Sequence, residues 1–479
     1  MNYRLVFKLA GKTLLVEAVT MLLPLLVALN YRESPMPFLL AIGVTTLLGF
    51  VLSRFPSDNR FTTRDGFFSA GLIWVLAGVC GAVPFFACGY FNSFVDCLFE
   101  SISGFTTTGA SILVAVEPLP RGILFWRSFM HWLGGMGILM LTIALLPSLG
   151  ARTLYVMKAE SPGPIISKLV PKSSQSSKIL YGIYLILTLL EMGLLRVAGM
   201  GWFDAATHAF ATAGTGGFST RNLSVGAFQS PSIEVIIAVF MLLFSLNFAV
   251  YFFILSGKWR QALQSDELRF FCGVVAASVL LIAFNIRGLY GGTIVVSLRH
   301  ALFQVASIIS TTGFSSVDFN LWPEFSRTLL VLLMFCGACA GSTGGGVKCS
   351  RVLLLFKCIA REIRQILHPR SVNVVKLDGK TVDEKVLHTV LVFLGVYMLI
   401  TLGATLVIAL DNFSFTTSFT AVVACISNIG PGLEAVGPMG NYSIFSHLSK
   451  LVLTLCMVIG RLEVFPILIL FSRAAWRRT

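Results

Sequence analysis

The sequence predicts an all-α integral membrane fold of about ten spans: four pseudo-symmetric helix–pore loop–helix repeats around one central pore, plus two N-terminal transmembrane helices. Three observations predict it. Of 479 residues, 56% are hydrophobic and 12% charged, with a mean hydropathy of +0.84, too little polar surface for a water-facing exterior. Long apolar segments alternate with short ones along the chain. Each of the four short segments ends in a cluster rich in Gly, Thr, Ser or Asn, and the clusters align on one glycine apiece.

The long segments cover 14–30, 36–53, 67–88, 122–147, 178–199, 232–256, 270–287, 327–360, 386–410 and 447–471. Most approach the ~20 residues with which a helix crosses a ~30 Å hydrocarbon core. The stretch 327–360 is too long for one plain span and is interrupted by Gly341-Ser342-Thr343-Gly344-Gly345-Gly346. The short segments, 93–104, 203–214, 295–309 and 414–427, cannot cross and read as helices that enter and turn back. Arg4, Lys8 and Lys12 before the first apolar run imitate a signal peptide. No A-x-A-like site follows, so a retained first helix is expected. The domains follow as 1–66 for the two N-terminal helices, then repeats at 67–175, 176–262, 263–380 and 381–479.

Charge placement tests this topology. With a cytoplasmic amino terminus and re-entrant short helices, 26 of the 36 Lys and Arg fall on the cytoplasmic side, among them Arg54, Arg60, Arg64, Lys158, Lys168, Lys172, Lys258, Arg260, Lys348, Arg351, Arg361, Arg364 and Arg370. The net charge of +14 is therefore a topology signal and gives no reason to expect nucleic acid. Glu33, Asp96, Glu100, Glu117, Asp204, Asp318 and Glu324 lie on the outer side, where they would concentrate cations at the mouth. The ten cysteines are scattered in apolar stretches and read as packing residues, including the Cys336 and Cys339 pair.

The aligned clusters are Thr106-Thr107-Thr108-Gly109-Ala110-Ser111, Gly214-Thr215-Gly216-Gly217-Phe218-Ser219, Ser310-Thr311-Thr312-Gly313-Phe314-Ser315 and Ser427-Asn428-Ile429-Gly430-Pro431-Gly432. Six positions before each glycine stands a small residue: Ser103, Ala211, Ser307 or Ala424. A dehydrated cation needs oxygen ligands at fixed radius, and backbone carbonyls supply them without a fixed charge that would trap the ion. Turning successive carbonyls inward needs unusual dihedrals, which glycine adopts at least steric cost. Threonine hydroxyls can brace such a strand or add a ligand. Small residues at the sixth position let four helices crowd one axis. A single cluster would read as an interfacial loop; four in register, each between two spans, read as a pore.

These motifs, with His131-Trp132-Leu133-Gly134-Gly135-Met136-Gly137 and Ile459-Gly460-Arg461-Leu462-Glu463, resemble the Trk/Ktr/HKT superfamily of potassium transporters, over nearly the whole chain and most closely its TrkH/TrkG branch of potassium uptake subunits. The resemblance implies a potassium selectivity filter at Thr107, Thr108, Gly109, Thr215, Gly216, Gly217, Thr311, Thr312, Gly313, Asn428, Ile429 and Gly430, with potassium as substrate. Plant relatives that carry serine at the first filter position transport sodium; Gly109 favours potassium. The fourth cluster departs from the Thr-x-Gly form. The resemblance further implies a bacterial inner-membrane location with both termini cytoplasmic, a homodimer, and a cytosolic TrkA-like nucleotide-binding regulatory subunit. The loops 152–178 and 348–385 are candidate docking surfaces for it. No cofactor and no enzymatic activity are expected.

Arg461 lies between Lys450 and Arg473 near mid-membrane, where a charge needs water or a partner. A pore-lining arginine is expected, since Glu463, two residues on, points elsewhere on a helix. The break Gly341, Ser342, Thr343, Gly344, Gly345, Gly346 fails as a phosphate loop, because Lys348 comes one residue late. It reads as a loop lining a water-filled cavity, and the resemblance implies a gate there facing Arg461. His131, Trp132 and Glu191 read as packing or interfacial residues. The competing function is an ion-coupled symporter, using protons or sodium, with inverted repeats; a sodium-permeable member of the same family is another.

Overall fold

The computed structural model describes residues 2–56, 63–137, 173–371 and 373–471. The later part of the 122–147 segment, Arg60, and most of the 152–178 loop with Lys158, Lys168 and Lys172 lie outside the described residues. Apart from a two-stranded antiparallel hairpin, β1 (Lys376–Leu377) with β2 (Lys380–Thr381), the described chain is helical.

Two N-terminal units come first: α1 (Tyr3–Thr20) continues into α2 (Leu22–Asn30), and α3 (Met36–Ser53) packs back along α1. Gly11 and Gly49 set that approach, since a methyl on Gly11 would sit 2.6 Å from the Gly49 carbonyl oxygen. Then a long helix, a short helix and a second helix recur. These are α4 (Thr63–Cys88), α5 (Phe94–Phe105) and α6 (Arg121–Gly135), followed by α7 (Ser173–Val197), α8 (Trp202–Gly214) and α9 (Pro231–Ser245) with α10 (Phe248–Leu255). The small α11 (Trp259–Leu263) leads into α12 (Asp266–Asn285), α13 (Ile294–Ile309) and α14 (Glu324–Met334) with α15 (Cys349–Leu367). Last come α16 (Glu384–Ile408), α17 (Phe415–Ile426) and α18 (His447–Leu462) with α19 (Val464–Phe471).

Among the described residues, six helices are long and apolar enough to cross a membrane, or seven if the bent pair α9–α10 counts as one span. They carry exposed leucines, valines and phenylalanines, such as Leu39, Leu47 and Phe50 on α3 and Leu399, Leu402 and Leu406 on α16, as lipid-facing surfaces do. The four short helices are the reverse. Their last turns are buried almost throughout, so they form the centre of the molecule.

In the second, third and fourth units the second helix departs from the plain span that the sequence predicts. The 232–256 segment bends by 91° between Ser245 and Phe248. The 447–471 segment breaks at Glu463, whose φ is +66°. The 327–360 segment loses helical structure from Phe335 to Lys348, wider than the Gly341–Gly346 run. A broken helix exposes backbone groups that lipid cannot satisfy. At the α9–α10 bend, the glycine-rich segment satisfies them. Thr343 Oγ1 donates to the Phe244 carbonyl at 3.1 Å, the Cys339 N–H donates to the Ser245 carbonyl at 3.0 Å, and the Phe248 N–H donates to the Gly341 carbonyl at 3.1 Å.

Candidate functional site

Each short helix ends in the same cap. The N–H groups of Thr107, Thr215, Thr311 and Asn428 donate to the carbonyls three residues back, at 3.2, 2.9, 3.0 and 3.2 Å. The next N–H groups, of Thr108, Gly216, Thr312 and Ile429, reach five residues back to Ser103, Ala211, Ser307 and Ala424, at 2.9, 2.9, 2.9 and 2.8 Å. This is a Schellman cap, whose pivot residue is left-handed and usually glycine. Here the pivots are Thr107, Thr215, Thr311 and Asn428, with φ of +56°, +55°, +61° and +55°. Left-handed geometry costs an L-residue ~1–2 kcal/mol, so a side chain is kept here against a conformational penalty.

The glycines two residues on also have positive φ: Gly109 +76°, Gly217 +77°, Gly313 +83° and Gly430 +96°. The residue between is not positive in any of the four. Alternating handedness turns successive carbonyls to one side of the strand, whereas uniform extended geometry turns them to opposite sides.

A second constraint on the glycines comes from their neighbours. A methyl on Gly109 would lie 1.9 Å from the Gly216 carbonyl oxygen, one on Gly217 2.1 Å from that of Thr312, and one on Gly313 1.9 Å from that of Ile429. One on Gly430 would lie 2.7 Å from that of Thr108. Each glycine thus packs on the preceding-position carbonyl of the next unit, and the fourth contact returns to the first. The four strands close a ring whose fourth seam is the widest. A single cavity of about 270 Å³ is lined by all four glycines.

On the other side of the ring lie the pivot side chains, and against them the glycine-rich segment. Thr311 Oγ1 accepts the Gly345 N–H at 2.8 Å, and a methyl on Gly345 would meet Asn428 Cβ at 2.7 Å. Arg461, at the last turn of α18, donates to Thr107 Oγ1 at 3.3 Å and to the Thr343 carbonyl at 2.7 Å. Its second amino group donates to the carbonyls of Gly134 and Gly135, both at 2.5 Å. Those carbonyls end α6, where the helix dipole places partial negative charge. Glu463 pairs with Arg351 at 2.6 Å.

Gly341, Ser342, Thr343, Gly344, Gly345 and Gly346 thus all lie under the ring in a segment held at both ends. Gly341 and Gly346 carry φ of +71° and +74°. The Glu267 carboxylate accepts the Ala340 and Ser350 N–H groups at 2.7 and 3.1 Å, and the Lys348 ammonium donates to the Gly344 carbonyl. Lys348 and Arg351 are buried in these roles, which removes them from the 348–385 docking surface that the sequence suggests.

Sequence reasoning missed the braces behind the ring. His131 is buried, with Nδ1 2.7 Å from the Gly104 carbonyl oxygen and Nε2 accepting the Phe218 N–H at 3.3 Å. A methyl on Gly216 would strike its ring at 2.2 Å. Nine positions before each glycine, a short-helix side chain reaches the outgoing strand in three units. Glu100 accepts from Ser111 Oγ at 2.9 Å and pairs with Arg127 at 2.7 Å. His208 Nε2 lies 2.9 Å from Ser219 Oγ, and the Gln304 amide donates to the Val317 carbonyl at 3.3 Å. The period-nine offset was readable in the sequence, but only the fold says that these side chains point at the strands.

The acidic mouth expected from sequence is corrected for three of its residues. Asp96 is buried against Lys450 at 2.7 Å and Glu100 against Arg127, while Glu33 caps the N-terminus of α6 through the Arg121 and Gly122 N–H groups. The cavity over the ring is lined by Arg127 and Arg221 and by no carboxylate. All ten cysteines are free thiols, nine of them wholly or partly buried, in keeping with a packing role.

A closed ring of four helix-capped, glycine-centred strands at the centre of an all-helical, multi-pass membrane bundle defines a transport protein for small ions, and not an enzyme. The TrkH family profile, described as "Cation transport protein", matches residues 38–477, and the chain belongs to that family. It is 38% identical over 487 residues to the Trk system potassium uptake protein TrkH of Salmonella typhimurium, covering 100% of both chains. It is 34% identical to the Trk system potassium uptake protein TrkG of Escherichia coli K12, over 99% of both chains. The crystal structure of the potassium transporter TrkH from Vibrio parahaemolyticus superposes with a TM-score of 0.89 at 35% identity, over 100% of both chains.

Proposed function

We propose that this protein takes up potassium through the ring, with Thr107, Thr108, Gly109, Thr215, Gly216, Gly217, Thr311, Thr312, Gly313, Asn428, Ile429 and Gly430 as its selectivity filter. The observation that carries this reading is the cyclic contact of each glycine with the carbonyl of the next strand. It sets carbonyl-bearing backbones of alternating handedness side by side around one centre, the arrangement that replaces the water of a dehydrated potassium ion. The full-length relatives named as potassium uptake proteins agree with it.

The surrounding architecture is four repeats, at 67–175, 176–262, 263–380 and 381–479, around one pore behind the two helices of 1–66, with about ten spans counting broken helices. The Gly341–Gly346 segment and Arg461 act as the gate, because they fill the space under the pivot residues and place a positive charge there. The protein sits in a bacterial inner membrane with both termini cytoplasmic, as the lysine and arginine distribution favours. It pairs as a homodimer and is regulated by a cytosolic TrkA-like nucleotide-binding subunit, both drawn from the family resemblance. The parallel sense of the four strands argues against inverted repeats with alternating access.

The test is potassium and sodium flux in proteoliposomes for the intact protein and for Gly313→Ser. A filter predicts that the substitution lowers potassium over sodium preference. An unchanged preference, or a potassium flux strictly stoichiometric with proton or sodium flux, overturns the channel-like reading.

A further inference from the structure

The fourth strand is held differently from the other three: its short helix reaches it through Thr420 Oγ1, which accepts the Leu433 N–H at 2.9 Å, three residues past the filter glycine. Nine positions before Gly430 stands Ala421, fully buried and without a polar group, where the other units have Glu100, His208 and Gln304. Two positions after it stands Gly432, where the other units have Ser111, Ser219 and Ser315. The seam from this strand to the first is also the loosest in the ring, at 2.7 Å against 1.9–2.1 Å for the others.

Tyr442 occupies that seam. Its hydroxyl donates to the Gly430 carbonyl at 2.6 Å, and its own N–H donates to the Ser111 carbonyl at 2.8 Å. One residue therefore ties the fourth filter glycine to the outgoing strand of the first unit. It is 2% exposed, and its ring is fixed between Phe99 and Phe445, with centroids at 5.5 and 5.8 Å. The residue comes from the loop between Pro431 and α18, after the filter in sequence, and nothing in the repeat pattern marks it.

We infer that Tyr442 is a specificity-determining positioning residue, whose hydroxyl fixes the direction and radius of the Gly430 carbonyl at the outer end of the filter. The inference rests on the filter reading above. A carbonyl oxygen has two lone pairs, so one can accept from Tyr442 while the other faces an ion. Held in this way, the oxygen cannot swing inward to follow a smaller cation. Released, it can, and sodium is then accommodated at that site. The asymmetry of the ring thereby becomes functional: in three units a side chain nine positions before the glycine braces the outgoing strand, and in the fourth the loop that follows the filter braces the glycine carbonyl itself.

The experiment compares the potassium-to-sodium permeability ratio of the full-length protein with that of Tyr442→Phe in proteoliposomes, with Gly313→Ser measured alongside. The ratio does not depend on how much protein folds, so a purely structural role leaves it unmoved. Loss of one hydrogen bond predicts a fall of about two- to tenfold in Y442F, with potassium flux retained. Where Y442F does not assemble, Tyr442→Trp, which keeps an N–H donor but displaces it from Gly430, reads the same ratio with the same two outcomes. A wild-type ratio in the Tyr442 variant together with a lowered ratio in G313S overturns the role of Tyr442 and leaves the filter standing. A wild-type ratio in both overturns the filter reading and the inference with it.

Discussion

Arg461 and Thr343 are joined by a 2.7 Å hydrogen bond from guanidinium to backbone carbonyl, which links the last turn of α18 to the middle of the glycine-rich segment. The same side chain reaches Thr107 of the ring and the end of α6, so one residue of the fourth unit touches both the first and the third. It is a positive charge satisfied by carbonyl dipoles beneath a proposed cation path.

Arg461→Ala is expected to raise potassium flux. The bonds from the guanidinium to Thr343, Gly134 and Gly135 are lost together. A hydrogen bond to a charged group contributes ~1.5–3 kcal/mol, so the balance toward an open segment should shift about tenfold or more. Flux in proteoliposomes checks this, and a folded variant with unchanged or lower flux refutes the barrier role.

Gly217→Ala should abolish most transport with little effect on assembly. The added methyl needs space within 2.1 Å of the Thr312 carbonyl oxygen, at a φ of +77°. The ring must distort, at a cost of ~1–3 kcal/mol or more. Gly182→Ala on α7 is the control, because a methyl there meets nothing within 4 Å. Equal loss of flux in both variants contradicts the ring's role.

Lys450→Met should lower thermal stability by ~3–5 kcal/mol, because it strands the buried Asp96 carboxylate. Asp96→Leu combined with Lys450→Met should recover most of the loss, since the desolvation cost of both charges disappears. Melting of the single and double variants in detergent tests the coupling; additive losses would show that the pair is not acting as one unit.

Acid should loosen the outer contact between the third and fourth units. The Glu434 carboxyl accepts from the Ser414 and Thr417 hydroxyls, and the Ser414 bond foremost holds it below the usual carboxylate range. Its backbone N–H and carbonyl bond the Asn320 side chain at 2.9 and 3.1 Å. With the folded value depressed, this contribution is intact above the unfolded value of ~4.3 and is lost as pH falls through the lower folded one. The fall in melting temperature on acidification through that window should be smaller in Glu434→Gln than in the parent; equal falls would refute the assignment.

Much of this was legible in the sequence because it is periodic or compositional. The helical membrane fold follows from apolar run lengths, and the candidate filter from four glycines in register. Reading Gly109, Gly217, Gly313 and Gly430 for their dihedrals was correct but incomplete. Steric exclusion by Gly216, Thr312, Ile429 and Thr108 is as strong a reason, and those contacts join residues far apart in the chain, from Gly217 with Thr312 to Gly430 with Thr108. The bend at Leu246 and Asn247 escaped notice because the segment is uniformly apolar. Its backbone groups are satisfied by Gly341 and Thr343, nearly a hundred residues away.

The sequence by itself determined the class of fold, the positions of the four strands, the glycine-rich break and the singular charge of Arg461, since each depends on local composition or on a repeat interval. Only the tertiary structure decided how these parts meet: that the ring closes with one loose seam, that Tyr442 spans it, and that Arg461 answers to carbonyls on α6 and Thr343. It also decided that Asp96 and Glu100 are buried partners of Lys450 and Arg127 and do not line the mouth. The physical reason is that hydrogen bonds and close contacts depend on direction and distance to within a few tenths of an ångström. Such relations between distant residues leave no trace in hydropathy or spacing.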